Sequence, residues 1–98
     1  MLGLTATFSP EVMKRFGEIV SEEYRALGLT TALFPQVDIG TDPRWFRYNY
    51  TLGEDPNLAV DLAKAYTEGL QTDTITEVEN GWGYKSVNAM VKHWPGTG

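Results

Sequence analysis

Two stretches of this chain open with a capping side chain followed at once by proline, Ser9-Pro10-Glu11 and Asp55-Pro56. Each reads as the start of a helix. The side-chain oxygen accepts from free backbone N–H groups, proline suits the first helical turn, and Glu11 lies near the positive end of the helix dipole. After the first start, Val12, Phe16, Ile19, Val20, Tyr24 and Leu27 recur at helical spacing as one face. Lys14, Arg15, Glu18, Glu22 and Arg25 occupy the remainder, and Gly28 supplies the stop. After the second, Ala59, Leu62, Ala63, Tyr66 and Leu70 form a stripe that ends near Gln71. Both helices are amphipathic and need an apolar surface to cover.

Short apolar segments follow each helix. Leu29 to Phe34, rich in Thr, Leu and Phe and closed by Pro35, reads as a buried strand. Ser86 to Trp94 alternates loosely through Val87, Ala89 and Val91 as a second strand. The order helix, strand, loop, helix, strand predicts an α/β fold of parallel strands with crossover helices. Gln36 to Asp55 is a long loop carrying Asp, Arg, Trp, Tyr and Asn, and a loop of that length in a compact protein is usually functional. Thr72 to Lys85 is a polar connection containing Gly81 and Gly83.

With 98 residues there is room for one small domain. Hydrophobic residues at 42% and charged residues at 21% fit a packed chain rather than a disordered one. A net charge of −5 works against binding a phosphate backbone, which needs clustered Lys and Arg, so no nucleic-acid partner is expected. No apolar run approaches the roughly 20 residues that span a bilayer, so no membrane partner is expected either. Met1-Leu2-Gly3-Leu4-Thr5 lacks the basic and hydrophobic stretches of an export signal, and the compartment stays open. Without cysteine there is neither a disulfide framework nor a thiolate nucleophile.

The chemistry-bearing residues lie at or just beyond the carboxyl ends of the two expected strands, where α/β barrels and open α/β sheets keep their ligands. Asp42-Pro43-Arg44-Trp45-Phe46-Arg47 and Lys92-His93-Trp94-Pro95-Gly96 set hydrogen-bond donors beside aromatic rings, a combination suited to a sugar. The plainer readings are a solvated lysine with a hydrogen-bonded histidine, and arginines paired with Asp38, Asp42, Glu54 or Asp55. Trp45, Trp82 and Trp94 are stacking platforms on one reading and packing on the other. Asp55 is accounted for as a helix cap and Asp42 as a turn residue, so no catalytic carboxylate is assigned. There is no glycine-rich phosphate loop, no zinc spacing and a single histidine, so no metal or cofactor is expected.

Taken in order along nearly the whole chain, five segments resemble the N-terminal barrel domain of glycoside hydrolase family 3, the β-glucosidases and related exo-acting β-glycosidases. They are Gly3-Leu4-Thr5-Ala6-Thr7-Phe8, Glu23-Tyr24-Arg25-Ala26-Leu27-Gly28, Asp42 to Arg47, Gly53-Glu54-Asp55-Pro56 and Lys92 to Gly96. The resemblance implies a segment of a (β/α)8 barrel, about two parallel strands with two crossover helices and one long functional loop. It implies a retaining double displacement, with an aspartate nucleophile and a glutamate acid/base. Arg47, Lys92 and His93 match family positions that hydrogen-bond the sugar in the cleavage subsite. Asp42 to Arg47 looks like the glucosidase version of the arginine loop, while Phe46 replaces the commoner glycine and Thr97 stands where Gly or His often follows Pro-Gly. The family's nucleophile lies in a Ser-Asp-Trp segment, and that tripeptide does not occur here.

Residues 1–98 are therefore expected to be a single partial domain of a β-glucosidase-like hydrolase. Its substrate would be a β-glucoside or oligosaccharide, and its partner the rest of the barrel, either covalently joined or associated. The isolated chain would be inactive, because nucleophile and acid/base are absent. Two other readings are a stand-alone carbohydrate-binding or interaction module and an inert structural remnant.

Overall fold

The computed structural model describes residues 1–73 and 82–97. Of the polar connection after the second long helix, residues 74–81 lie outside the described part. A short helix α1, Leu2–Thr5, precedes the long helix α2, Pro10–Ala26. Strand β1, Thr31–Ala32, leads through a loop with one 3-10 turn, Tyr48–Tyr50, into helix α3, Pro56–Gln71. Strand β2, Asn88–Ala89, lies parallel to β1 with Thr31 opposite Asn88 and Ala32 opposite Ala89. Helices joined to a two-stranded parallel sheet make this an α/β fold.

Both long helices begin where their sequence signals place them. The Ser9 hydroxyl accepts from the Val12 N–H, and the Asp55 carboxylate accepts from the N–H groups of Asn57 and Leu58. α2 ends at Ala26, and Gly28 beyond it takes φ 77, the left-handed region open to glycine. The Leu2–Thr5 helix carries no such signal and went unanticipated.

The buried face of α2 differs in phase from the expected stripe. Met13, Gly17 and Ser21 face inward, with Phe16, Val20 and Tyr24 partly covered. Val12 is 43% exposed, Ile19 40% and Leu27 76%, so these three do not belong to the packed face. The cause is the contact with α3. A Cβ on Gly17 would lie 2.6 Å from the carbonyl oxygen of Tyr66, and one on Gly69 would collide with the carbonyl oxygen of Lys14. The helices meet backbone to backbone at a glycine pair, and that close approach decides which side turns inward. On α3, Ala59, Leu62, Ala65, Tyr66, Gly69 and Leu70 are buried, close to the expected stripe but with Ala65 and Gly69 added and Ala63 only partly covered. Burial pushes the Tyr66 phenol up to about 12, with Tyr24 adding to the shift.

The strands are shorter than Leu29–Phe34 and Ser86–Trp94. Pro35 has no N–H to give to a ladder, and each strand has a single partner among the described residues. Pairing resumes beyond the proline, where Gln36 bridges Lys92 in parallel. Four steps separate Ala32 from Gln36 but only three separate Ala89 from Lys92, so the first segment carries one extra residue, as in a bulge. The end of α3 is tied to the start of β2: Val87 N–H donates to the Leu70 carbonyl (3.1 Å) and Ala89 N–H to the Gln71 side-chain oxygen (3.1 Å).

Replacing Gly17 by alanine should destabilise the chain by roughly 1–3 kcal/mol, the usual cost of overpacking. Gly3→Ala, whose Cβ would meet nothing within 4 Å, should leave the urea midpoint nearly unchanged. Equal midpoints for the two variants would show that the helices do not meet as described.

Candidate functional site

Beyond β1 the backbone runs extended through Gln36, Val37 and Asp38, anchored on the chain that leaves β2. Lys92 N–H donates to the Pro35 carbonyl (3.0 Å), and Val37 N–H to the Lys92 carbonyl (2.6 Å). Side chains alternate along such a segment, and Gln36 and Asp38, two residues apart, are both buried. These two polar groups sit at the carboxyl end of the sheet, where the unpaired loops converge.

Asp38 is the centre of the arrangement. Its side chain has no exposure, while that of His93 retains 30%. One carboxylate oxygen lies 2.8 Å from His93 Nδ1. The other accepts from the Thr97 backbone N–H (2.6 Å) and the Thr97 hydroxyl (3.2 Å). Burial opposes the charge on Asp38, but the hydrogen bonds from His93 and Thr97 outweigh it and hold the carboxyl below its ordinary 3.8. The Lys92–His93 peptide that presents the ring is cis, as is Trp94–Pro95 next to it.

Arg47 reaches the same segment from the loop. It precedes the 3-10 turn Tyr48–Tyr50, and one guanidinium nitrogen lies 3.4 Å from Gln36 Oε1. The turn is held by the Tyr48 ring, which packs where a Cβ on Gly40 would otherwise sit, and by the Thr51 hydroxyl donating to the Tyr48 carbonyl (2.7 Å). Gln36 Nε2 is buried without a hydrogen-bond partner among the described residues. The Lys92 ammonium stands 5.8 Å from the centroid of the Phe34 ring, a cation–π placement. Thus Arg47, Lys92 and His93, the three residues singled out from the sequence, gather around Gln36–Asp38.

Arg44 is elsewhere engaged. Its guanidinium and backbone N–H both bond to the Asp42 carboxylate, the closest contact 2.7 Å. This satisfies the ion-pair reading of the loop arginines for Arg44, and it shows Asp42 as a turn residue. Trp94 is 94% exposed beside the site and Trp45 is half-buried. Among the described residues no cluster of His, Cys, Asp or Glu could hold a metal ion, and no helix is long and apolar enough to cross a membrane.

Gln36, Asp38 and Thr97 as supports of the site were missed by sequence reasoning. The available signal was local: two polar residues at i and i+2 directly after a proline-ended strand place both on one side of an extended segment. Nothing local pairs Asp38 with a histidine 55 residues away.

Because the folded state favours the ionised form of Asp38, its contribution to stability is complete well above pH 3.8 and drains away as pH falls below that value through the lower folded pKa. Asp38→Asn should therefore cost roughly 1–3 kcal/mol near neutral pH. The gap from the parent chain should narrow in acid. Denaturant titrations at a series of pH values check this, and a gap that widens on acidification would contradict it.

Residues 1–98 match the glycosyl hydrolase family 3 N terminal domain. A periplasmic β-glucosidase/β-xylosidase of Dickeya chrysanthemi is 45% identical over 97 residues, covering 99% of this chain and 14% of that protein. β-Glucosidase C of Emericella nidulans is 42% identical over 97 residues, covering 99% of this chain and 15% of that protein. A β-xylosidase/α-L-arabinofuranosidase 2 of Medicago sativa subsp. varia is 36% identical, covering 93% of this chain and 12% of its own length. The chain thus spans a small part of the length of these relatives, and it belongs to glycosyl hydrolase family 3 through the N-terminal domain of that family.

Proposed function

We propose that residues 1–98 form one partial domain, a segment of a (β/α)8 barrel, and supply sugar-binding residues to the cleavage subsite of a retaining, exo-acting β-glycosidase. The observation that carries this reading is the convergence of Arg47, Lys92 and His93 on one extended segment at the carboxyl ends of two parallel strands. That end of the sheet is where barrel enzymes bind their substrates. The relatives named as β-glucosidases and β-xylosidases support a terminal β-glycoside, with β-D-glucosyl as the expected residue.

In this role Arg47 and Lys92 donate charge-assisted hydrogen bonds to sugar hydroxyls and His93 adds a third polar contact. The exposed ring of Trp94 lies close by as an apolar surface. Their work is orientation and preferential binding of the distorted sugar in the transition state. The aspartate nucleophile and glutamate acid/base of the double displacement belong to other parts of the enzyme, which join this segment as one chain or as an associated one.

Purified alone, the 98-residue chain should not turn over an aryl β-glucoside, and enzyme-like rates from it would refute the division of labour. In an enzyme containing this segment, Arg47→Ala and Lys92→Ala should each lower kcat/KM by about 10- to 100-fold, the loss expected for one charged hydrogen bond. Arg44→Ala, which removes a guanidinium already committed to Asp42, should change it little. Equal effects at Arg44 and Arg47 would remove Arg47 from the subsite. Tight glucose binding by the isolated chain would instead favour a stand-alone binding module.

A further inference from the structure

The single histidine of this chain can present either ring nitrogen to a ligand, and the surrounding bonds decide which. An ionised carboxylate only accepts hydrogen bonds. His93 Nδ1, 2.8 Å from Asp38 Oδ2, must therefore carry the proton in that contact. The Thr97 hydroxyl agrees with this assignment: it donates to Asp38 Oδ1 and, 3.4 Å from Nδ1, has a lone pair left for the same N–H. Among the described residues Nε2 has no hydrogen-bond partner, and the ring is partly open to solvent.

We propose that Asp38 is a positioning residue that locks the neutral ring of His93 in its Nδ1–H form and leaves Nε2 to accept a hydrogen bond from a sugar hydroxyl. This deepens, and rests on, the reading of the site as a sugar subsite. It also alters that reading in one respect, since the sequence suggests that both Lys92 and His93 donate. With the tautomer held, Lys92 donates and the neutral imidazole next to it accepts. The pair then matches a hydroxyl group's own two capacities, and it discriminates against a ligand whose hydroxyl hydrogen has been replaced.

Two donors from Thr97 claim Oδ1, and this makes the arrangement directional. In Asp38→Asn the carboxamide oxygen must serve Thr97, which turns the amide NH2 toward Nδ1. An NH2 group facing Nδ1 forces that nitrogen to accept, and the ring inverts to Nε2–H. A residue that merely filled space would not produce that inversion.

With only one histidine, long-range 1H–15N correlation spectra of the labelled 98-residue chain read the tautomer directly. At about pH 9, more than two units above the roughly 6.5 of an unperturbed histidine, the parent chain should show Nδ1 protonated and Nε2 bare. Asp38→Asn should show the reverse, and Asp42→Asn, altered at an exposed pair with Arg44, should match the parent. Nε2–H, a mixture of tautomers, or a doubly protonated ring in the parent chain would overturn the proposal, as would an unchanged tautomer in folded Asp38→Asn. If Asp38→Asn does not fold, the parent spectrum alone decides. The sugar reading is tested separately, in an enzyme containing this segment, by the kcat/KM of Arg47→Ala and Lys92→Ala. A held tautomer with kcat/KM unchanged in both variants leaves the positioning role standing and removes the sugar subsite, whereas a loss of kcat/KM with a free tautomer does the opposite.

Discussion

The parallel ladder between the two strands is the constraint on which the candidate site depends. Its bonds run from Asn88 N–H to the Thr30 carbonyl (2.8 Å), from Met90 N–H to Ala32 (2.9 Å), and then past Pro35 to Lys92 and Val37. A two-stranded sheet has little stability by itself in water. Here the helices supply the burial, with Leu62 and Leu70 of α3 and Met13 of α2 fully enclosed. Burying each such side chain is worth about 1.5–3 kcal/mol. The glycine contact between α2 and α3 brings the helix backbones close, and the bonds from Leu70 and Gln71 to β2 carry that order into the strand.

Charge is distributed with the same economy. The chain is acidic overall, yet its two described cations nearest the site, Arg47 and Lys92, are held by a neutral amide and an aromatic face rather than by a carboxylate. Arg44 is the loop arginine whose charge is neutralised, by Asp42 at the surface. The buried carboxylate, Asp38, is spent on His93 and Thr97 and does not quench the cations. Neither cation is therefore paired with a carboxylate, which suits the proposed uncharged, hydroxyl-rich ligand, for which donor strength matters and net attraction does not.

What could be read from the sequence was what is encoded locally. Ser9-Pro10 and Asp55-Pro56 begin their helices because a cap acts within three residues, and Asp42 turns the chain through its own neighbours. The inward side of α2 was harder, because Gly17 and Ser21 carry almost no hydrophobic signal while Val12 and Ile19 carry a strong one. Backbone approach, not apolarity, selects that face. Arg47, Lys92 and His93 could be singled out only through family likeness, and their role in sugar binding is proposed on that likeness and on their placement. Gln36 and Asp38 beneath them were not legible, since their partners come from 11 and 55 residues away and become neighbours only through the fold.

That long separation governs how the site is assembled. Joining Asp38 to His93 closes a loop of 55 residues, and the length-dependent part of the entropy cost is about 3.5 kcal/mol. The hydrogen bond between them, worth about 1.5–3 kcal/mol with a charged partner, falls short of that alone. That end of the sheet is therefore not closed by this bond alone: the ladder between β1 and β2 and the packing of α2 against α3 hold the two segments together, and Asp38 and His93 meet within that frame.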